Sequence, residues 1–369
     1  MPSAKRAGPT LGRRAPAPVV IHSAPLVLPV CVDPVRDGAV VTRGDRVLRV
    51  GSRTEALSSY PAAREVRWRG MIVAGLIDAR SGASLSPPGV TARAGVVSDL
   101  ADLAGLPGIS YVEVTSGSEE EWEDDERDAV ITAIREVDRP CAVGIAAHTR
   151  DPQVLEDVAV LARTFGLRLL VDLDRNSPAA LDEARVLGPL CHVACARPLD
   201  PGERKLLRLR RTVVALCPPE PPKAGDVPGY SPADDVLVSS PRDDGAASPA
   251  GDVLALLDEG NVLALGTGGG AAAGARSPLS VAGAIRRQAR ELGLRPRGLD
   301  RRLVEAATLG GARALGMDRG KGRIGTLAPG ARADFAVFDA RGRYPYAALL
   351  VGPPCLGTVV GGVVTGRQA

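Results

Sequence analysis

The sequence predicts an α/β protein: a (β/α)8-type (TIM) barrel, incomplete by one strand on a first count, with a small β-sandwich domain built from the N- and C-terminal segments. Three observations carry that prediction. Between about 71 and 320, short apolar runs alternate with helical stretches, the pattern of repeated βα units around a parallel sheet. The regions flanking this stretch read instead as strands joined by tight turns. Aromatic residues make up only 3% of the 369 residues, so Val, Leu, Ile and Ala must fill the core, as they do in the layered interior of a parallel barrel.

In chain order, residues 1–18 are basic and carry Pro, Gly and Ala, and are expected to form a disordered tail. Arg13-Arg14 precedes an apolar stretch as in an export signal, but His22, Pro25 and Pro29 interrupt the run and no small-residue cleavage site follows. In 19–70, apolar runs at 40–42 and 47–50 flank Arg43-Gly44-Asp45, a hairpin pattern. The barrel is assigned to 71–324. Its strand candidates are 72–77, 109–114, 142–147, 167–173, 190–194, 212–216 and 262–265, nearly continuous in apolar character, as strands buried on both faces should be. The missing strand is expected between 80 and 108, where Val90–Val97 is too mixed in polarity to assign. Helices are expected near 152–165, 179–187, 251–257, 278–292 and 301–314. The acidic run at 119–126 suits a solvated helix start, because carboxylates favour the positive end of the macrodipole. Residues 218–249, rich in Pro, Gly, Asp and Ser, read as a long loop. Finally, 325–369 is β-rich again, with apolar runs at 335–338, 357–360 and 363–364, and is expected to pair with 19–70.

Composition narrows the partners. A net charge of +3 on 46 basic and 43 acidic residues gives no field for polyanions, so nucleic acid is not expected. No apolar run reaches the ~18 residues of a membrane helix. Cys31, Cys141, Cys191, Cys195, Cys217 and Cys355 are scattered and form no C-x-x-C pair, which suits reduced thiols and a cytoplasmic setting. Cys191 and Cys195 flank His192, and are read as buried thiols on a strand and its loop rather than as ligands.

Four segments match, in order, the motifs of one known family. Gly70-Met71-Ile72-Val73-Ala74-Gly75-Leu76-Ile77-Asp78-Ala79 is similar to the opening barrel strand, which in that family continues as H-x-H. Leu263-Ala264-Leu265-Gly266-Thr267 resembles the strand that is normally followed by Asp. The stretch 303–316 resembles the last barrel helix. Residues 325–339, from Gly325-Thr326-Leu327 through Ala333-Asp334 to Asp339, resemble G-x-L-x-x-G-x-x-A-D-x-x-V-x-D, the return to the small β domain. Together the four resemble the amidohydrolase superfamily, closest to its metal-dependent deaminases and imidazolonepropionase.

The resemblance implies hydrolysis of non-peptide C–N bonds by Zn²⁺ or Fe²⁺ held at the strand ends, where the metal lowers the pKa of a bound water. It also implies that this chain departs from the pattern. The H-x-H positions fall on Arg80 and Gly82, and the final Asp on Gly268 within the glycine-rich stretch 266–270. The fifth-strand histidine falls near Asp172 in Val171-Asp172-Leu173-Asp174; His192 and His148 match the sixth- and fourth-strand histidines. The remaining histidine, His22, lies in the N-terminal β region. The glycine-rich stretch lacks the Lys-Ser/Thr of a phosphate loop and is read as a plain βα loop. No metal and no other cofactor is expected. Arg80 is expected to replace the metal's charge by pairing with Asp172 or Asp174. The expectation is a family member with reduced or absent hydrolase activity, a pseudoenzyme. Two alternatives stand beside it: a rewired hydrolase or deaminase for a purine-like or cyclic amide substrate, using His192, His148, Asp172 and Asp174, and a non-catalytic partner subunit of an active paralogue. The expected partners are a small-molecule ligand at the barrel mouth and a homo- or hetero-oligomer with an amidohydrolase.

Overall fold

The computed structural model describes residues 17–82, 87–98, 107–136, 142–218, 249–268 and 276–367. Nearly all of the expected tail at 1–18, the interior of the loop at 218–249, Cys141, and Gly269-Gly270 lie outside these residues.

The two ends of the chain meet in one sheet. It comprises β1 (Val19–Leu28), β2 (Val35–Arg43), β3 (Arg46–Ser52), β4 (Arg64–Arg67), β5 (Met71–Ala74) and, as defined below, three C-terminal strands. Its members are mostly antiparallel, but β1 runs parallel to both β4 and β5. The period-two pattern of a strand decides what each face covers. Met71 and Val73 join the core shared with the barrel helices, while Ile72 and Ala74 join the sheet's own core with Trp68 and Val27. His22 belongs to this second core: it is buried, accepts a hydrogen bond from Trp68 Nε1 at 3.3 Å, and packs edge-on against Phe335.

The barrel strands follow in chain order: β6 (Leu76–Ser81), β7 (Val90–Val97), β8 (Gly108–Val114), β9 (Ala142–Ala147), β10 (Arg168–Asp172), β11 (Cys191–Cys195), β12 (Val213–Leu216) and β13 (Leu263–Leu265). Every adjacent pair is parallel. Between β13 and β6 the ring is joined just past the strands, where Ser81 bridges Gly268, Gly82 N donates to Gly268 O at 2.9 Å, and Gly268 N donates to Arg80 O at 3.0 Å. The last strands, β14 (Phe335–Phe338), β15 (Cys355–Val360) and β16 (Val363–Arg367), return to the small sheet, where β14 pairs with β5.

Two expectations are corrected. The apolar run 72–77 is not one strand: β5 belongs to the small sheet and β6 opens the barrel, with the change at Gly75. A Cβ on Gly75 would run into Thr91, so only glycine lets the two segments pass. The barrel is not short of a strand. Val90–Val97 is its second, and its polar members are satisfied in place: Thr91 Oγ1 donates to Leu76 O, and Arg93 is buried near Asp78.

The helix Pro152–Phe165 shows how local sequence sets the outer layer. Asp151 caps it by accepting from Gln153 N and Val154 N, Pro152 starts it, and Gly166 ends it in the left-handed region at φ 66°. Val154, Leu155, Val158, Ala159 and Ala162 form its buried stripe against the sheet. The acidic run also starts a helix: Ser118 caps Glu119–Glu121, which continues as one wide turn over Trp122–Glu126.

Candidate functional site

Parallel-barrel sites form where the strands end. There, Arg80 from β6 reaches across the mouth to Asp172, the last residue of β10. Its Nε donates to Oδ1 and its Nη2 to Oδ2, both at 3.2 Å, a two-pronged contact between largely buried side chains. The pairing expected for Arg80 is therefore present, with Asp172 as the partner. Asp174 lies on the exposed turn beyond, in the field of Arg197 and Cys195, and is not part of this contact.

His148, just past β9, connects Asp172 to a residue that was not among the candidates. Its Nδ1 lies 2.6 Å from Glu113 Oε1, and its Nε2 lies 3.0 Å from Asp172 Oδ2, within ion-pair reach but off the line of an aligned hydrogen bond. Glu113 also accepts from Ser98 Oγ at 3.0 Å. Burial resists ionisation of Asp172, yet His148 and Arg80 outweigh it and hold its carboxyl well below the ordinary range. Glu113 behaves alike: burial raises it, but His148 and Ser98 bring it below its usual value. Cys217 and Gly266 complete the wall beside Arg80; a Cβ on Gly266 would sit 2.8 Å from Arg80 Cβ and 2.9 Å from Cys217 Sγ.

The loops that carry these residues are bound to one another. Thr149 Oγ1 donates to Ser116 O, Asn176 Nδ2 to Thr149 O, and Arg175 Nη1 to His148 O. Glu126, from the acidic run, accepts from the main-chain N–H and hydroxyl groups of both Thr115 and Ser116, so that carboxylate is a structural tie rather than a merely solvated charge.

His192 does not join the network. Register explains why: Asp172 pairs with Ala194, whereas His192 pairs with Leu170, two residues back from the mouth. It is fully buried, its Nε2 lies 2.9 Å from Ala79 O, and its ring meets Tyr111 edge-on. A carbonyl only accepts, so the Nε2 proton points at Ala79 O. Burial first, and Arg168 second, lower its pKa to about 3. This is a histidine held inside the barrel core, with Nε2 engaged and Nδ1 buried without a partner among the described residues.

The two glycines at expected ligand positions serve the seam. Gly268 has φ 88°, which disfavours any side chain, and its N–H and C=O both bond to β6 or the residue following it. Its neighbour Thr267 donates from N and from Oγ1 to Asp78, at 3.0 and 2.6 Å. The motif Leu76-Ile77-Asp78-Ala79 does not by itself reveal this role of Asp78; burial raises its pKa to about 6 while Thr267 partly holds it down. It ties the two ends of the barrel together. Cys191 and Cys195 are buried on β11, and burial raises both thiols to about 12. Among the described residues, no three or more His, Cys, Asp and Glu side chains are grouped so as to hold a metal ion, and no helix is long and apolar enough to cross a membrane.

An eight-stranded parallel barrel, a sheet composed of both chain ends and a charged mouth together define the class. The family model for the amidohydrolase family matches residues 189–369. Solved structures share the fold across almost the whole chain. An adenosine deaminase from Xanthomonas campestris with bound zinc is 17% identical, with a TM-score of 0.73 over 96% of this chain and 94% of that one. The zinc complex of atrazine chlorohydrolase from Arthrobacter aurescens TC1 is 17% identical, with a TM-score of 0.69 over 94% and 95%. Guanine deaminase from E. coli is 14% identical, with a TM-score of 0.68 over 95% and 99%. No curated protein matches the chain. Residues 189–369 thus resemble the amidohydrolase family, and the whole chain shares its fold with these deaminases and hydrolases.

Proposed function

We propose that this chain is a member of the C–N hydrolase family that has kept the barrel and exchanged its metal for an internal ion network, leaving hydrolase activity low or absent. The observation that carries this reading is the Arg80 guanidinium held against both oxygens of Asp172 at the strand ends. A guanidinium does not deprotonate at any ordinary pH, so it cannot ligate a cation and repels one placed beside it. Asp172 has both oxygens engaged by Arg80, and His148 has both ring nitrogens against carboxylates. Gly82 and Gly268 offer no side chain. This donor set does not fit Zn²⁺ or Fe²⁺.

What remains is a His–carboxylate pair without a water-activating centre. General acid–base groups alone supply roughly 10²–10⁴-fold, far short of typical enzymatic accelerations. On this reading the mouth serves as a binding surface, for a small ligand or within an oligomer that contains an active amidohydrolase.

Metal analysis and turnover test the proposal together. The protein is incubated with excess Zn²⁺ or Fe²⁺, desalted, and assayed on adenosine, guanine and a triazine, the substrates named for the structural neighbours. The expected result is metal well below one ion per chain and no turnover above background. Stoichiometric metal with turnover that a chelator abolishes would overturn it.

A further inference from the structure

A cavity of about 500 Å³ opens away from the strand ends, between the second half of the helix Pro278–Glu291, the turn after it, the start of the helix Leu299–Glu305 and the segment entering the short helix Pro345–Leu349. That volume falls in the range of small-molecule sites. Neither Arg80, Glu113, His148 nor Asp172 lines it.

Four arginines do line it, and their charges are unequally compensated. Arg286 Nε lies 2.7 Å from Asp300, and Arg301 Nε lies 2.9 Å from Glu305. Arg290 and Arg295 are exposed and have no ion-pair partner among the described residues. Acidic residues are nearly as numerous as basic ones in this chain, 43 against 46, so two unpaired guanidiniums on one concavity are a local excess. Such a pair suits a dianion, and the forked geometry of guanidinium suits phosphate oxygens.

The rest of the wall has a different chemistry. Leu294, Pro296 and Pro345 are apolar, and Tyr344 presents a ring that is 70% exposed. Arg343 lies over that ring, 5.7 Å from its centroid. An exposed aromatic beside cations is a stacking surface for a planar ligand. The Tyr346 hydroxyl is buried and has no hydrogen-bond partner, although buried polar groups are nearly always satisfied. An acceptor oxygen on a ligand would satisfy it.

We propose that this cavity is a second ligand site, for a phosphomonoester carried on an aromatic ring system. Arg290 and Arg295 bind the dianion, Tyr346 donates a hydrogen bond, and Tyr344 with Leu294 covers the ring. A free phosphate lacks the ring and an unphosphorylated nucleoside lacks the charge, so each should bind less well than the two joined.

Calorimetric titration of the full chain at low salt with adenosine 5′-monophosphate, adenosine and inorganic phosphate tests this. The monophosphate is expected to bind at least about tenfold more tightly than either fragment. Arg290→Gln with Arg295→Gln should weaken it by about tenfold or more, since hydrogen bonds to charged groups are worth about 1.5–3 kcal/mol. Tyr344→Ala should weaken it several-fold. Both substitutions are at exposed positions, and an unchanged melting temperature verifies the fold. Arg80→Met should leave the affinity unchanged, which separates this site from the barrel mouth. No detectable binding at about 1 mM, equal binding of adenosine and its monophosphate, or affinity that survives loss of both arginines would each overturn the assignment.

Discussion

Deep in the barrel, Arg168 and His192 direct their N–H groups at main-chain carbonyls; at the mouth, Arg80 and His148 face the carboxylates of Asp172 and Glu113. Arg168 Nε donates to Ala314 O at 2.8 Å and His192 Nε2 lies 2.9 Å from Ala79 O. Both layers bury charged or polar groups, but only the upper one pairs ionisable groups with each other. A carbonyl has no alternative protonation state and is part of the fold, so the lower layer is structural. A side-chain carboxylate can be exchanged or engaged by a ligand without unmaking the main chain, so the upper layer is separable from the fold.

Breaking the lower layer should have the largest effect. Arg168 is 9% exposed, and its guanidinium serves the carbonyls of Ala314 and Arg313 at the end of a helix. Arg168→Ala removes the cation from that negative end, takes the guanidinium donor from the Ala314 carbonyl and opens a void. The expected cost is about 4 kcal/mol, read as a fall in urea midpoint with unchanged slope. A loss under about 1 kcal/mol would mean that the floor is not held this way.

Breaking the upper layer should cost less and be recoverable. Arg80→Met leaves Asp172 with only His148 beside it, and about 3 kcal/mol should be lost, as for other buried pairs that lose one member. Arg80→Met with Asp172→Leu removes both charges, and much of that loss should return. A double-mutant cycle with coupling near zero would show that the two side chains are close but energetically independent.

Acid separates the layers by sign and by range. Burial lowers His22 to about 4 and His192 to about 3. An unfolded histidine takes up its proton near pH 6.5, so between that value and about pH 4 the unfolded chain binds more protons and stability falls as pH falls. Asp78, raised to about 6, has the opposite slope in part of the same interval. The contribution of Asp172 is intact above the ordinary carboxylate value and is lost only as pH drops below it. His192→Gln keeps a donor for Ala79 and cannot titrate. Relative to wild type, its stability should gain about 2 kcal/mol between pH 6.5 and 4.5, measured by urea unfolding at each pH. Parallel pH profiles would show that His192 is not held neutral.

The barrel was largely legible because a strand buried on both faces is nearly all apolar, as at 142–147 and 212–216. Val90–Val97 escaped because Thr91 and Arg93 are satisfied by neighbours distant in sequence, Leu76 and Asp78, which no local pattern reveals. The split at Gly75 depended on a contact with Thr91 that is equally nonlocal. In the site, the Arg80–Asp172 pair was legible because an arginine in a ligand position needs a counter-charge. The depth of His192 was not, because depth is set by strand register and a motif match carries none. Glu113 did have a signal: a lone carboxylate near the end of an otherwise apolar strand, two residues on from inward-facing Tyr111.

Glu113 also sharpens the comparison at its weakest point, since it is the most accessible member of the upper layer. Its side chain is 26% exposed, against 18% for Asp172 and 12% for Arg80. Solvent screens its contact with His148 more than it screens the Arg80 pair, so the same chemistry should be worth less there. Glu113→Gln retains an oxygen for the ring nitrogen and removes the charge. About 1 kcal/mol should be lost, in the same urea assay and at neutral pH. A cost equal to that of Arg80→Met would place the centre of the network at His148 and Glu113 rather than at the arginine. The replacement of a metal's charge by Arg80 would then lose its energetic support, even with the 3.2 Å contacts intact.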